Sequence, residues 1–569
     1  MARKIFGIGL DGATFDLVDP WIKRGELPVL ASLLAQGARG KLKSTVPPMS
    51  PQAWSSFVTG KNPGKHGIYD FVQYVPNSYE IYFCNAATRK AKSLWRILSD
   101  SGKTVGAINV PMCYPPEPVN GFIISGMEAP GVQSEFTYPP DLYKEMKKAI
   151  GEYDMHGDSW TRMGPEAYIG NVMKTIDSQS NAIKYLMKRF DCDLFFAVFG
   201  STDRVQHFFW KYLDPTHPRH DPAEAAKYGD CALQVYRKID AHLGELLQMI
   251  PKDATVFVMS DHGAGPFHKI VYLDKWLKQQ GYLKYKDSAE GSSIRKVAFD
   301  ASKNLYIFFR KFLPRGMKDL LKSALPETRR KIESHLMMSP IDWENTKAFY
   351  LGIESTRIFI NLKGRFPRGT VEPGAEYERL RDEIIARLMQ IKDPDTGQPV
   401  VEHAYKGEEI YWGNALPDAP DILVLWKDDL YITRKSYGVE ANGNPDAIID
   451  DNLRFGEIGK LMSIEQTGTH RPHGIFCIKG EGIEKAKTLS GAEIIDLAPT
   501  LLYLLDLPVP SDMDGNVLEG AITSEYLATH PIKRVEVEGD SGPGRGDSVY
   551  SGEEFDKVEE RLRSLGYIE

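Results

Sequence analysis

The chain has 569 residues, of which 42% are hydrophobic and 26% are charged, and its formal net charge is −7. This length and composition predict a globular protein with one large domain plus insertions, or two to three domains. The negative charge argues against nucleic acid as an electrostatically captured partner. No apolar run approaches the roughly 18 residues of a membrane span, and no secretory signal precedes the first predicted strand. The five cysteines are scattered and never spaced as CxxC, so we expect reduced thiols and a cytoplasmic protein.

In the first half of the chain, apolar runs typical of strands alternate with amphipathic patterns typical of helices. We predict strands over residues 4–10, 104–109 and 255–259, and part of a helix over 27–34. A helical spacing of apolar residues precedes the third strand: Leu233, Tyr236, Ile239, Leu243, Leu246 and Ile250. Such alternation predicts βαβ units, and hence an α/β fold with a doubly wound, mainly parallel sheet.

The composition changes in the middle of the chain. Basic residues among Phe and Leu predict an inserted helical segment over 287–340, whose charged face we expect to be solvated. An α+β pattern follows, with a strand over 356–362 and a helix over 376–391, before strand and helix patterns return at 475–478 and 494–507. We therefore predict the following units: a catalytic core of residues 1–280 and 461–530, an inserted α+β cap region of residues 281–460, and a flexible linker with a short C-terminal helix in residues 531–569.

Residues that commonly bind metals follow several predicted strands. These residues are Asp11 after the strand ending at residue 10, Asp203 and His207 after an apolar run at 194–199, Asp261 and His262 after the strand at 255–259, His470 in a Thr-Gly-Thr-His segment, and Ser50 in a Pro-rich segment. Ligands gather beyond the carboxyl ends of parallel strands. Three carboxylates, three imidazoles and one hydroxyl predict a two-metal site with an activated nucleophile. His473 lies near His470 and competes with it for the same role.

Gly7, Gly9 and Gly12 form a GxGxxG pattern after the first strand, which is typical of dinucleotide-binding sites. Such a site requires an acidic residue about 20 positions later to bind the ribose. Residues 30–43 contain no Asp or Glu. We therefore expect the glycines to let the backbone turn tightly so that Asp11 faces the site.

The segment from Ser50 to Gly60, followed by Pro63 and His66-Gly67-Ile68, resembles the nucleophile segment of the alkaline phosphatase superfamily. It is most similar to the type I phosphodiesterase/nucleotide pyrophosphatase branch, in which the nucleophile also lies nine residues before a Thr such as Thr59. The candidate ligands occur in the same order as in that family. Residues 496–500 and 514–515 resemble the C-terminal signature of the superfamily.

The resemblance implies a two-metal phosphohydrolase that cleaves small phosphate esters through a phosphoserine intermediate on Ser50. The implied ligand sets are Asp203, His207 and His470 for one metal, and Asp11, Asp261, His262 and the Ser50 oxygen for the other. Mixed imidazole and carboxylate ligands favour Zn²⁺, with Mn²⁺ next. We expect the cap region to set substrate choice without supplying a metal ligand, and its basic residues and Trp412 to recognise the leaving group.

The sequence also departs from the family pattern. Phe71 lies 21 residues after Ser50, where the diesterase branch has an Asn that binds a nonbridging phosphate oxygen. Arg204, and Lys61 or Lys65, are candidate substrate-binding cations for the dianionic phosphate of a monoester. Phosphate monoesters and phosphate diesters are therefore both candidate substrates. The x-Pro-x-Arg pattern of sulfatases is missing after Ser50.

Two other functions are compatible with the same superfamily. A phosphomutase would pass the phosphoryl group from Ser50 to a second hydroxyl, but the Asn-Ser-Glu pattern of cofactor-independent phosphoglycerate mutases is missing at Ser50. A catalytically inactive binding protein on the same fold is disfavoured because all six metal-ligand candidates are present.

Overall fold

The structure, a computed structural model, describes residues 3–157, 160, 163–286, 341–351, 356–436, 444, 446–450, 466–537, 549–550 and 552–565. Its strands are, in chain order, β1 (Ile5–Leu10), β2 (Ala38–Lys43), β3 (Val72–Tyr74), β4 (Ile81–Phe83), β5 (Val105–Val110), β6 (Gly121–Ser125), β7 (Thr137–Tyr138), β8 (Leu194–Phe199), β9 (Thr255–Met259), β10 (Gly263–Pro266), β11 (Lys269–Tyr272), β12 (Ala348–Tyr350), β13 (Arg357–Ile360), β14 (Val401–Lys406), β15 (Ile422–Trp426), β16 (Tyr431–Arg434), β17 (Ile449–Asp450), β18 (Gly468–Arg471), β19 (His473–Lys479), β20 (Lys487–Glu493), β21 (Val509–Pro510) and β22 (Arg534–Val535).

The α-helices are, in chain order, α1 (Phe15–Lys23), α2 (Pro28–Gln36), α3 (Ser50–Thr59), α4 (Pro63–His66), α5 (Leu94–Asp100), α6 (Leu142–Ile150), α7 (Pro165–Arg189), α8 (Ser201–Leu213), α9 (Pro222–Tyr228), α10 (Cys231–Leu247), α11 (Leu273–Gln279), α12 (Ala375–Leu388), α13 (Gly407–Ile410), α14 (Leu497–Leu504), α15 (Ser524–Thr529) and α16 (Gly552–Leu565). Short 3-10 helices are present at Leu416–Asp418, Lys427–Asp429, Ile494–Asp496 and Glu519–Ala521.

A nine-stranded sheet in the order β20-β2-β19-β9-β1-β8-β5-β6-β7 forms the centre of the molecule. The strand β1 pairs in parallel with β8 and with β9, and β5 pairs in parallel with β8 and with β6. The strand β19 is antiparallel to both of its neighbours. The inner strands β1, β8 and β9 are buried along their whole length, as their continuous apolar runs require. The predicted α/β fold with a mainly parallel sheet is confirmed.

Helices cover both faces of this sheet. One hydrophobic cluster joins β1 side chains such as Ile8 to the helices α7 and α10, and another joins Phe196 to Trp54 of α3 and to the helix α14. The predicted amphipathic helix is α10, whose apolar side chains are buried and which ends before β9. Burial of apolar surface on both sides gives the doubly wound arrangement.

The glycines of β1 make room for aromatic rings. A Cβ atom at Gly7 would lie 2.3 Å from the ring of Phe196, and one at Gly9 would lie 2.7 Å from the ring of Trp54. Larger residues at these positions would therefore clash with the packing of the sheet against α3. This close packing gives the GxGxxG pattern a role that involves no dinucleotide.

The described part of the cap region contains a four-stranded antiparallel sheet in the order β12-β13-β15-β14. The strand predicted over 356–362 is β13, and the helix predicted over 376–391 is α12. The predicted basic helical segment over 287–340 lies outside the described residues. The strand β11, which precedes the predicted start of the cap region, pairs with β16 and β17 of that region. The two units are thus joined by hydrogen bonds between strands.

The C-terminal helix α16 packs on the core. The ring of Phe555 lies 4.4 Å from that of Phe83, and Val558 and Leu562 are buried. Most of the predicted linker before α16 lies outside the described residues. All five cysteines are free, and all five are buried. Within the described ranges, no helix has both the length and the apolar character needed to cross a membrane.

Candidate functional site

Three neighbouring strands bring the predicted ligands to one edge of the central sheet. Asp11 follows β1, and the helix α8 begins just after β8, so that Asp203 and His207 lie one turn apart on the same helix. Asp261 and His262 occupy the turn between β9 and β10. Because β1 lies between β8 and β9, all five side chains converge at the carboxyl ends of the strands.

A short strand pair brings in the last ligand from far along the chain. The strands β10 and β18 are antiparallel, and His470 lies opposite Ala264. This pairing places His470 beside His207, although the two residues are 263 positions apart. His473 is exposed on β19, opposite Lys43, and belongs to neither candidate metal cluster.

The first cluster contains Asp203, His207 and His470. Nε2 of His207 lies 3.2 Å from Oδ2 of Asp203, and Nε2 of His470 lies 3.7 Å from Oδ1 of the same carboxylate. The Nε2 atoms of the two imidazoles lie 3.1 Å apart. All three side chains are buried.

The second cluster contains Asp11, Asp261, His262 and Ser50. The Nε2 atom of His262 lies 3.2 Å from Asp261, 3.7 Å from Asp11 and 3.1 Å from the Ser50 hydroxyl. Asp203 lies between the clusters, since one of its oxygens is also close to Asp11 and His262. All of these side chains are buried.

Backbone and side-chain donors orient the carboxylates. Trp54 Nε1 donates to Asp11 Oδ2 over 3.1 Å, and the Gly12 amide donates to Asp261 Oδ1 over 3.2 Å. Gly12 has a φ of +67°, and a Cβ atom there would lie 2.8 Å from an Asp203 oxygen. A glycine at this position therefore permits both the turn and the close approach of Asp203.

Carbonyl groups fix the tautomers of the imidazoles. Nδ1 of His207 donates to the Gly468 carbonyl, and Nδ1 of His262 donates to the Gly263 carbonyl, each over 2.9 Å. His470 bonds the backbone of Pro48, which offers only a carbonyl. In the neutral rings these bonds leave Nε2 as a lone-pair donor that faces the cluster.

These atoms fit a metal ion. Two lone pairs 3.1 Å apart repel each other, whereas tetrahedral Zn²⁺ holds two imidazole nitrogens about 3.3 Å apart. Asp11 Oδ1 and Asp261 Oδ2 are buried and accept no hydrogen bond from the described residues. A buried carboxylate oxygen without a donor is costly unless a cation binds it. The donor set therefore suits divalent cations.

The pKa directions agree with this interpretation. Burial and the nearby Asp261 and Asp203 carboxylates raise the pKa of Asp11 well above its ordinary value. Burial likewise raises the pKa of Asp261. Burial, with the adjacent His262, lowers the pKa of His470 well below its ordinary value. The protein alone thus destabilises the negative charges of Asp11 and Asp261, whereas the neighbouring His207 and His470 lower the pKa of Asp203.

Ser50 is the first residue of α3 and is completely buried. The first-turn amides of a helix have no partner within the helix, and the helix dipole favours negative charge there. Since Nδ1 of His262 carries its proton, the Ser50 hydroxyl donates to Nε2 of that ring. This environment favours both a deprotonated serine and a bound phosphate group.

The other predicted substrate-binding residues lie outside the two clusters. Lys61 pairs with Asp512, and Lys65 pairs with Asp514 at 2.7 Å. Phe71 is buried in the main hydrophobic cluster. None of these three side chains therefore presents an open polar group to the site.

Arg204 lies one position after Asp203, on α8. Its guanidinium donates to the His156 carbonyl and lies over the ring of Tyr168, 5.3 Å from its centroid. Arg204 and Asp11 both line a cavity of about 40 Å³.

Sequence reasoning missed Trp54 as a site residue. Trp54 lies four residues after Ser50, one turn along α3, and this spacing alone places both side chains on one face. The sequence spacing could therefore have identified this indole as a residue of the site. Trp412, by contrast, is half exposed, and its Nε1 donates to Asp514.

A family model described as type I phosphodiesterase / nucleotide pyrophosphatase matches residues 5–448, and the matched range ends before His470. Among curated proteins, none matches this chain in sequence.

Three solved structures are similar in fold. Murine ectonucleotide pyrophosphatase / phosphodiesterase 5 has a TM-score of 0.50 at 13% identity, over 92% of this chain and 100% of that chain. An inactive form of the same murine protein in complex with AMP has a TM-score of 0.48 at 13% identity, over 90% and 97%. Phosphonoacetate hydrolase from Sinorhizobium meliloti 1021 in complex with phosphonoformate has a TM-score of 0.47 at 14% identity, over 89% and 95%. At 13% identity, the likeness to the first of these structures shows the fold alone.

Proposed function

Because this chain belongs to the type I phosphodiesterase/nucleotide pyrophosphatase family of the alkaline phosphatase superfamily, we propose that it is a two-metal phosphodiesterase whose covalent nucleophile is Ser50. The observation that carries the proposal is the buried cluster of acceptor atoms beside the Ser50 hydroxyl. Such an arrangement has a high energy in the protein alone and a low energy around cations.

The proposed ligand sets follow the two clusters. Asp203, His207 and His470 would hold one metal, and Asp11, Asp261, His262 and Ser50 would hold the other. When bound, the two ions would acidify the serine hydroxyl and stabilise the charge on the leaving oxygen. The mixed imidazole and carboxylate donors favour Zn²⁺, with Mn²⁺ next.

The chain's own groups would perform the displacement as follows. The Ser50 hydroxyl loses its proton to solvent, its oxygen attacks phosphorus, the Oγ–P bond forms, and the bond from phosphorus to the leaving oxygen breaks. The leaving oxygen takes a proton from solvent and departs as the alcohol. A water molecule then attacks the phosphoserine ester, the Oγ–P bond breaks, and the Ser50 oxygen takes a proton from that water, which regenerates the hydroxyl. Trp54 and Gly12 keep the carboxylates oriented throughout both steps.

The surroundings of Ser50 favour a diester over a monoester. A monoester carries two negative charges and requires an added cation. The candidate cations Lys61 and Lys65 are already paired with Asp512 and Asp514, and the Arg204 guanidinium donates to the His156 carbonyl and lies over the ring of Tyr168. A substrate with one negative charge at phosphorus therefore fits better, and we propose a small phosphodiester.

A metal-dependent assay with trapping of the intermediate tests this function. The metal-free protein is loaded with Zn²⁺, Mn²⁺ or Mg²⁺ and given bis(p-nitrophenyl) phosphate or p-nitrophenyl phosphate. We expect faster hydrolysis of the diester. With the diester, rapid-quench mass spectrometry should find a p-nitrophenyl phosphoryl group on the peptide that contains Ser50, because one of the two nitrophenyl groups stays on phosphorus. Hydrolysis of neither ester with any of the ions would refute the proposal.

A further inference from the structure

A buried polar network joins the cap region to the residues on both sides of Ser50. The hydroxyl of Tyr411, in the cap region, donates to the Val46 carbonyl over 2.6 Å. The same hydroxyl lies 3.5 Å from Oε1 of Gln52. Val46 comes four residues before Ser50 and Gln52 comes two residues after it. One hydroxyl from the cap region therefore contacts the chain on both sides of the nucleophile.

A second residue of the cap region completes this network. Nη1 of Arg357, on β13, donates to the Tyr69 carbonyl over 2.6 Å, and its Nη2 forms an ion pair with Asp70. Nε2 of Gln52 donates to the same Tyr69 carbonyl. The rings of Tyr69 and Tyr411 meet edge to face at 5.1 Å. Arg357 and Tyr411 are thus linked through Gln52 and Tyr69.

All of these side chains are excluded from solvent: Gln52 is 0% exposed, Tyr69 and Tyr411 are 1%, Arg357 is 2% and Asp70 is 5%. Hydrogen bonds in such surroundings have no competition from water, so they hold their partners in one arrangement. Gln52 lies in the first turn of α3, next to Ser50. A displacement of Gln52 or Val46 would therefore move the Ser50 hydroxyl relative to His262.

We propose that Tyr411 and Arg357 are positioning residues that hold the Ser50 segment in its reactive place. The cap region is then part of the catalytic apparatus, in addition to any role in substrate choice. This inference rests on the proposed function of Ser50 as the nucleophile. The alternative is that the network only stabilises the contact between the cap region and the core.

The two roles differ in which kinetic quantity changes. Positioning of a nucleophile acts on the chemical step, and misplacement of a reacting group by about 1 Å costs up to about a hundredfold in rate. A contact that is only structural changes the amount of folded protein, and leaves the rate of each folded molecule unchanged. The experiment therefore measures kcat per active site, with metal content and thermal midpoint recorded for every variant.

The decisive variant is Tyr411→Phe, which keeps the ring and removes the hydroxyl. Its matched control is Tyr79→Phe, which makes the same chemical change. It removes another hydrogen bond between the core and the cap region, the 2.8 Å bond to Asn361, and leaves the Ser50 segment untouched. With bis(p-nitrophenyl) phosphate, we expect Tyr411→Phe to lower kcat about tenfold with KM within about twofold, and Tyr79→Phe to change neither.

Arg357 is tested with two variants. Arg357→Ala should lower kcat further than Tyr411→Phe does, and Arg357→Lys should restore part of the loss because it keeps the charge but not the geometry of the guanidinium. If Arg357→Ala does not fold, the comparison of Tyr411→Phe with Tyr79→Phe still decides the question. Equal kcat values for Tyr411→Phe, Tyr79→Phe and the unaltered protein would overturn the inference and leave the proposed function intact. An unaltered, metal-loaded protein without activity on any ester would overturn both.

Discussion

The candidate metal clusters and the contact between the cap region and the core are both buried and polar, but their atoms are matched differently. In the metal clusters, acceptors face acceptors: carboxylate oxygens and Nε2 atoms converge within 4.8 Å. In the cap contact, donors face acceptors, as in the bonds of Tyr411 to Val46 and of Arg357 to Asp70. The first region is therefore suited to a cation from outside, whereas the second is satisfied by the protein itself.

From this difference we expect the first region to bind metal and carry out the reaction, and the second to hold the Ser50 segment in position. Changes in the metal clusters should abolish activity or metal binding, because no other group can supply the missing ligand. Changes in the cap contact should have graded effects, because neighbouring bonds still hold the two units together. The predictions that follow test this division from the largest expected effect to the smallest.

The largest effect is expected from Ser50→Ala, which removes the proposed nucleophile. Turnover of the best ester should fall at least about a thousandfold, while both metals stay bound through the remaining ligands. The matched control is Ser55→Ala on the same helix, since the Ser55 hydroxyl is buried and has no hydrogen-bond partner among the described residues. Turnover by Ser50→Ala close to that of Ser55→Ala would rule out Ser50 as the nucleophile.

The second prediction concerns metal stoichiometry. Elemental analysis of the loaded protein should find two equivalents, and His470→Ala should lose about one of them together with most of the activity. His473→Ala is the control, because this exposed histidine belongs to neither cluster. A single equivalent in the unaltered protein, or the same loss in both variants, would contradict the two-metal centre.

The third prediction is that Asp11→Asn changes the stability of the protein in opposite directions without and with the metal. When folding raises the pKa of an acid, the free energy of unfolding falls as the pH rises past the pKa of that acid in the unfolded chain, about 3.9 for Asp. The pKa of Asp11 is raised by burial, Asp261 and Asp203, so Asp11→Asn should stabilise the metal-free protein at pH 7 by about 1 kcal/mol. Once Zn²⁺ is added, the unaltered protein should melt at the higher temperature, because only it keeps the full ligand set. Calorimetry of both proteins with and without Zn²⁺ measures this; an unchanged order would count against the metal assignment.

The smallest effect is expected from Trp412→Phe. The hydrogen bond of this half-exposed indole to Asp514 should contribute about 1 kcal/mol or less to stability. The thermal midpoint should fall by no more than about 2 °C, with no change in metal content. A fall in the thermal midpoint as large as that caused by Tyr411→Phe would show that the two hydrogen bonds across this contact contribute equally to stability.

Local patterns predicted that the three carboxylates would lie together, because each of them follows a feature that is visible in a short stretch of sequence. Asp11, Asp203 and Asp261 each follow a continuous apolar run, and all three runs are buried strands of one sheet. Parallel strands align their carboxyl ends, so residues at those ends become neighbours without any knowledge of side-chain packing. The role of each ligand stays a prediction until the metals are measured.

The pairing of charged side chains was not predictable in this way. Lys61 and Lys65 looked like phosphate-binding cations, but Asp512 and Asp514 lie against them from a segment about 450 residues away. The same limit applies to Tyr411 and Arg357, whose partners lie in the Ser50 segment. Sequence spacing contains no information about which distant element will pack on a given turn.

The sequence by itself determined the fold class, the amphipathic helix α10 and the chemical inventory of the site, because apolar periodicity and strand ends are local properties. Only the tertiary structure decided how these groups are used. The pairing of β10 with β18 brings His470 to His207, and the packing of the cap region places Tyr411 beside Val46. Both contacts depend on the burial of whole surfaces against each other, and that free energy is a property of the folded chain and of no single segment.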